Sequence, residues 1–127
     1  KAIKTPFPAR HHFGAEEKAA CNRIIDEAIE KGVKNVIITL GVNGAYYTDG
    51  VKEIHVPGIK VKAVETTGAG DAFNGGFVTA IGEGMDVETA LKFANCTAAI
   101  SVTRLGAAQS MPSREEIDAF MKEKYGI

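Results

Sequence analysis

Two glycines, Gly68 and Gly70, stand directly before an aspartate in the run Glu65-Thr66-Thr67-Gly68-Ala69-Gly70-Asp71-Ala72-Phe73. Glycine lets the backbone take positive φ and approach an anion closely. A helix beginning at this point adds free backbone N–H groups and the positive end of its dipole. A carboxylate there would repel a resting phosphate, so Asp71 should serve a different atom close by. A general base that takes a proton from a hydroxyl attacking a phosphoryl group fits that placement. The loop amides would then stabilise charge on the transferred group.

Other readings of the same residues are weighed against this one. A Walker-type phosphate loop needs Lys followed by Ser or Thr after its last glycine, and Asp71-Ala72 stand there instead. A dinucleotide fingerprint needs a third glycine where Phe73 stands, and a following strand where the pattern predicts a second helix. A plain glycine-rich connection, with Asp71 as a simple helix cap, stays open on spacing alone.

The elements around this run read as α/β. Ala15 to Lys31 is predicted helical, with Ala20, Ile24, Ile25, Ala28 and Ile29 at helical spacing and Gly32 as its C-terminal cap. Val33 to Leu40 contains Val36-Ile37-Ile38 and predicts a strand buried on both faces, as in a parallel sheet. Helix, glycine and buried strand make half of an α/β crossover unit. Gly41 to Gly44 is a turn. Ala45 to Thr48 and Val51 to Val56 predict two strands around an Asp49-Gly50 hairpin turn. Ile59 to Val64 alternates and predicts a further strand with one wet face. Asp71 to Ile81 is predicted as a helix. Asp86 caps another, which carries Ala90, Leu91, Phe93, Ala94, Ala98 and Ile100. Leu105 to Met111 is a loop. Ser113 and Glu116 form a capping box for the last helix, with Ile117, Phe120 and Met121 on its apolar face. Residues 1–14 are an irregular lead-in.

Bulk properties narrow the partners. The 127 residues fit one domain, 1–127, and the 45% hydrophobic content supports a core. A net charge of −1 argues against nucleic acid or an anionic membrane as the main partner. No apolar run approaches the ~20 residues that span a bilayer, and Pro6 and Pro8 break any secretory signal. Cys21 and Cys96 are not at metal-ligand spacing and read as reduced thiols of a cytoplasmic protein. His11-His12 lacks nearby Cys, Asp or Glu and reads as a solvated loop.

Thr66 to Phe73, followed by Gly75-Gly76, is similar to the C-terminal signature of the ribokinase family, the PfkB carbohydrate kinases. Thr39-Leu40-Gly41 with Gly44 resembles that family's nucleotide-contacting strand end. Val102 to Ala107, with Ser110 and Pro112, resembles the segment that follows in its ribose-phosphorylating members. The resemblance runs from about Val33 to the C-terminus. It implies the C-terminal part of a three-layer α/β/α ribokinase-like fold, with an incomplete central sheet. It also implies transfer of the ATP γ-phosphoryl to a sugar hydroxyl, with D-ribose to ribose 5-phosphate favoured. Asp71 would be the catalytic base, and Gly68, Ala69 and Gly70 would lend amides to the anion hole. Thr39, Gly41, Gly44 and Gly70 would contact the nucleotide, and Asn95 would lie against the adenine. Glu65, Thr67, Ser101, Arg104, Gly106 and Ser110 would line a monovalent cation site suited to potassium. Magnesium would arrive with ATP.

The chain departs from the family in three ways. Glu65 stands where the family usually has Asp. Phe7 and Arg10 stand where an Asn-x-x-Glu motif belongs. Family members are also much longer, and their N-terminal half supplies most sugar contacts and part of the sheet. The chain therefore reads as a fragment or truncation with little turnover of its own. Its expected partners are ATP, a small sugar, and either a second copy or a missing N-terminal half that covers an exposed sheet edge. A non-catalytic nucleotide-binding or self-associating module is the alternative.

Overall fold

A computed structural model describes residues 15–106 and 111–127, with side chains from Asn22 onward in the first helix. The lead-in, His11-His12 and the Phe7 and Arg10 positions lie outside the described residues, as do the Cys21 side chain and Ser110. In chain order the elements are α1 (Ala15–Glu30), β1 (Val36–Thr39), a 3-10 turn (Gly41–Asn43), β2 (Ala45–Thr48), β3 (Glu53–Val56), α2 (Ala69–Gly82), α3 (Val87–Ser101) and α4 (Arg114–Tyr125). They fall into two compact units, the first ending at Pro57 and the second starting at Gly58.

In the first unit, α1 ends as its sequence predicts. Gly32 takes φ +93°, and the amides of Gly32 and Val33 bond back to the carbonyls of Ile29 and Ala28. This paired closure satisfies carbonyls that a helix end leaves free. Ile25 and Tyr46 are buried at the centre of a small core, with Ile29, Val36, Ile38 and Leu40 packed on them. Ile24 does not join it and is 56% exposed. It precedes Ile25 by one position, which is 100° of helical rotation and takes it out of the contact.

The sheet corrects the expected pairing. β1 lies antiparallel to β2, and β2 antiparallel to β3, in the order β1-β2-β3. The register pairs Ile38 with Tyr46 and Tyr46 with His55. β1 is half-buried rather than buried on both faces. A run of β-branched residues specifies a strand but not the direction of its neighbour, and here the short connection to β2 makes the pair antiparallel. The hairpin turn also moves by one residue. Gly50, at φ +95°, and Val51 are central, between Asp49 and Lys52. The Asp49 carboxylate accepts from the amides of Val51 at 2.9 Å and Lys52 at 2.6 Å. Asp49 therefore braces the turn from its flank.

In the second unit, Ile59 to Val64 forms no strand. Ile59 packs against the helical core, while the amides of Val64 and Glu65 both bond to the carbonyl of Val102, at 2.7 and 3.1 Å. Alternation was the only strand signal, and no neighbouring strand among the described residues takes up the ladder. α2 begins at Ala69, two residues earlier than predicted, because Gly68 supplies the left-handed turn that starts it. α2 and α3 approach closely through small residues. A Cβ on Gly76 would lie 2.8 Å from Thr97 Oγ1 and 3.1 Å from Ala94 Cα. The core gathers Ala80, Ala90, Phe93, Cys96, Ile117 and Met121.

Both predicted caps form. The Asp86 side chain accepts from the Thr89 amide at 3.3 Å and from Thr89 Oγ1 at 2.6 Å. Ser113 and Glu116 make the reciprocal bonds of a capping box. The buried Cys96 thiol is pushed up to about 12 by desolvation, so it is an inert packing group rather than a nucleophile. Among the described residues no helix is long and apolar enough to cross a membrane.

Candidate active site

Gly68 caps α2 at φ +84°, with no side-chain hydrogen bond to the helix start. Ala69, Gly70 and Asp71 are then the first three helical residues. Their amides are the ones a helix cannot pair internally. The Ala69 amide donates to the Thr66 carbonyl at 3.1 Å, and the turn consumes it. The amides of Gly68, Gly70 and Asp71 donate to no acceptor among the described residues. Of the three residues expected to lend amides, two therefore have them available, and the Asp71 amide adds a third. Gly70 leaves open space where a side chain would stand.

Asp71 is exposed at this helix start. Its carboxylate accepts no hydrogen bond from the described residues. A base must be able to reach a substrate proton, and this carboxylate has no competing partner. Beside it runs an open groove of about 260 Å³, walled also by Gly75, Thr79, Thr97 and Arg114. Gly75 lies one turn after Asp71 and puts no side chain into that space. Arg114 is not a spare cation for the groove. Its guanidinium is held by Glu83 at 2.5 Å and Asp118 at 2.9 Å, which raise its pKa further.

The proposed cation-site residues are only partly gathered. Main-chain bonds to Val102 tie Glu65 to the end of α3, where Ser101 sits. Ser101 is 1% exposed, and its hydroxyl has no hydrogen-bond partner among the described residues. Arg104 gives its guanidinium to Glu116 in α4, so only its carbonyl could face a cation. Gly106 takes φ +83°. Thr67 is exposed, and Ser110 lies outside the described residues. Among the described residues no cluster of three or more His, Cys, Asp or Glu side chains could hold a metal.

Thr39, Gly41 and Gly44 lie in the first unit, at the end of β1 and the turn after it. Thr39 and Gly41 are exposed and Gly44 is buried. Gly44 takes φ 91°, ψ −134°, a region open only to glycine. Asn95, by contrast, is 7% exposed, and its amide donates to Tyr125 Oη at 3.5 Å. Its Nδ2 thus faces Tyr125 of α4. Sequence reasoning missed Tyr125 and the Val102 carbonyl. A main-chain carbonyl carries no sequence signal, and Tyr125 is 30 positions away from the residue it touches.

The pfkB family carbohydrate kinase profile matches residues 8–114. The chain belongs to the PfkB family of carbohydrate kinases. It is 43% identical over 97 residues to the ribokinase of Bacillus subtilis, an alignment covering 76% of this chain and 33% of that one. Its structure is similar to that of Thermotoga maritima ribokinase, with a TM-score of 0.73 and 47% identity over 87% of this chain and 35% of that one. Arabidopsis thaliana ribokinase, solved with ribose and ATP, gives a TM-score of 0.77 at 33% identity, over 86% and 35% of the two chains. The fold is thus the ribokinase α/β fold, represented in part. This PfkB chain spans about a third of the length of the curated relatives it matches.

Proposed function

We propose that the chain is the ATP-binding and catalytic-base part of a cytoplasmic sugar kinase that transfers the ATP γ-phosphoryl to a hydroxyl of D-ribose. The observation that carries this reading is the start of α2. Among the described residues the amides of Gly68, Gly70 and Asp71 have no acceptor and the Asp71 carboxylate has no donor, and all of them lie at one helix start. The amides and the helix dipole stabilise negative charge on the transferred group, and Asp71 takes the proton of the attacking hydroxyl. Thr39, Gly41 and Gly44 contact the nucleotide, with Asn95 toward the base.

Potassium would be held by Glu65, Thr67, Ser101, Arg104, Gly106 and Ser110, whose oxygen donors suit that ion. Ser101 would contribute a buried hydroxyl that has no partner among the described residues, and Arg104, whose guanidinium is held by Glu116, would contribute its carbonyl. When bound, the ion would supply fixed positive charge to this unit. Magnesium would come with ATP and would supply positive charge at its phosphates.

Calorimetric titration with Mg-ATP, first in potassium and then in sodium, tests the reading. Saturable binding that weakens in sodium supports it. A folded chain that binds in neither salt rules it out. A second reading, a non-catalytic nucleotide-binding or self-associating module, is favoured by Phe7 and Arg10 at the Asn-x-x-Glu positions. Sugar-dependent release of ADP separates the two.

A further inference from the structure

We propose that His55 is a positioning residue for the nucleotide-facing turn between β1 and β2. This rests on the nucleotide role of Thr39, Gly41 and Gly44 proposed above. The turn has little else to hold it. Its three residues bury nothing, Val42 is 90% exposed, and Leu40 at its start offers no side-chain cap. Three backbone bonds close it, from the amides of Leu40 to Gly44, Asn43 to Leu40 and Gly44 to Gly41, at 2.7, 3.0 and 3.1 Å. Both glycines take positive φ, which the bonds must hold against the freedom of a residue without a side chain.

One side chain reaches the turn among the described residues. His55 Nε2 lies 3.0 Å from the Asn43 carbonyl oxygen, across a sequence distance of 12. A carbonyl can only accept, so Nε2 carries the proton and donates. The Asn43 carbonyl accepts no backbone bond of the turn, so His55 engages a turn carbonyl that the internal bonds leave open. The donor is itself well anchored. His55 sits in β3 opposite Tyr46, which is buried in the centre of the first core. The rigid strand therefore reaches over β2 and sets where the turn amides and Gly41 point.

The test uses the 127-residue chain with His55→Val, His55→Leu and His55→Gln. Val and Leu remove the donor, and Gln returns an N–H near the position of Nε2. The readouts are amide exchange at Leu40, Asn43 and Gly44 by NMR, and Mg-ATP affinity by calorimetry. The expected result for Val and Leu is exchange at those three amides at least tenfold faster, with the Tyr46 and Thr48 amides unchanged. Mg-ATP binding weakens at least fivefold, and Gln restores both. Wild-type exchange and affinity in a folded Val or Leu variant would overturn the proposal. So would a Gln variant as defective as Val and Leu. A wild-type chain that binds no Mg-ATP sinks the nucleotide reading and any binding role for His55, whereas bound ATP with an indifferent His55 sinks only this inference.

Discussion

Asp71 and Gly44 divide the site's chemistry at the scale of single residues. Asp71 is proposed to act on the acceptor proton and to touch no resting phosphate. Asp71→Asn should therefore leave Mg-ATP affinity within about twofold of wild type, or tighten it by removing a negative charge. A large loss of affinity on titration would assign the carboxylate to nucleotide or magnesium binding instead. Gly44 is a backbone device. Its φ of 91° with ψ −134° excludes a side chain, so Gly44→Ala should cost on the order of 1–3 kcal/mol. The loss is measured as a lower urea midpoint. An unchanged midpoint would mean the turn relaxes into another conformation.

The helix ends and the helix–helix contact carry the predictions at the scale of elements. Ser113 caps α4 through the Glu116 amide, so Ser113→Ala should lower stability by about 1 kcal/mol. Gly76 sets the distance between α2 and α3. Gly76→Ala presses on the Ala94 backbone, which cannot swing aside, and should cost about 1–3 kcal/mol by overpacking. α2 carries Asp71, so the same change should also disturb Mg-ATP binding, which calorimetry would show.

The Glu116 carboxyl is held below its ordinary value, first by the Arg104 guanidinium and then by the Ser113 amide. A lowered folded pKa means the folded state prefers the ionised form. The stability it contributes is full above the unfolded carboxyl value of 4.5 and is lost as pH falls through the lower folded value. Glu116→Gln should flatten that acid limb in thermal melts followed from neutral pH down to pH 3. An unchanged limb would assign it to other carboxylates, such as Asp86, whose pKa Thr89 also lowers.

Edges govern the predictions for the whole molecule. Among the described residues β1 pairs only with β2, and no strand of theirs covers its other edge. A chain a third the length of its relatives should cover that edge by self-association or by pairing with an N-terminal portion. Size-exclusion elution should shift toward a dimer as concentration rises, and a monomer position at all concentrations would leave only the second route. Turnover by the isolated 127-residue chain is expected to be negligible, because phosphoryl transfer depends on a held acceptor and excluded water. Sugar-dependent ADP release by the isolated chain would contradict that.

The amino-acid sequence by itself determined the local chemistry and the local stops: the glycine-rich run before Asp71, the Asp86 cap, the Ser113–Glu116 box and the Gly32 closure of α1. Each depends on residues a few positions apart, so spacing alone carries the physics. The same run placed the chain in its family. Only tertiary structure decided the rest. β1 pairs antiparallel, and Ile59 to Val64 stays out of any sheet, because pairing depends on a neighbour that a strand's own residues do not name. It turned Asn95 toward Tyr125 and gave Arg104 to Glu116. It also left the amides of Gly68, Gly70 and Asp71 without an acceptor among the described residues while spending that of Ala69. Which backbone groups remain free is a property of the folded turn, and every residue type carries the same amide.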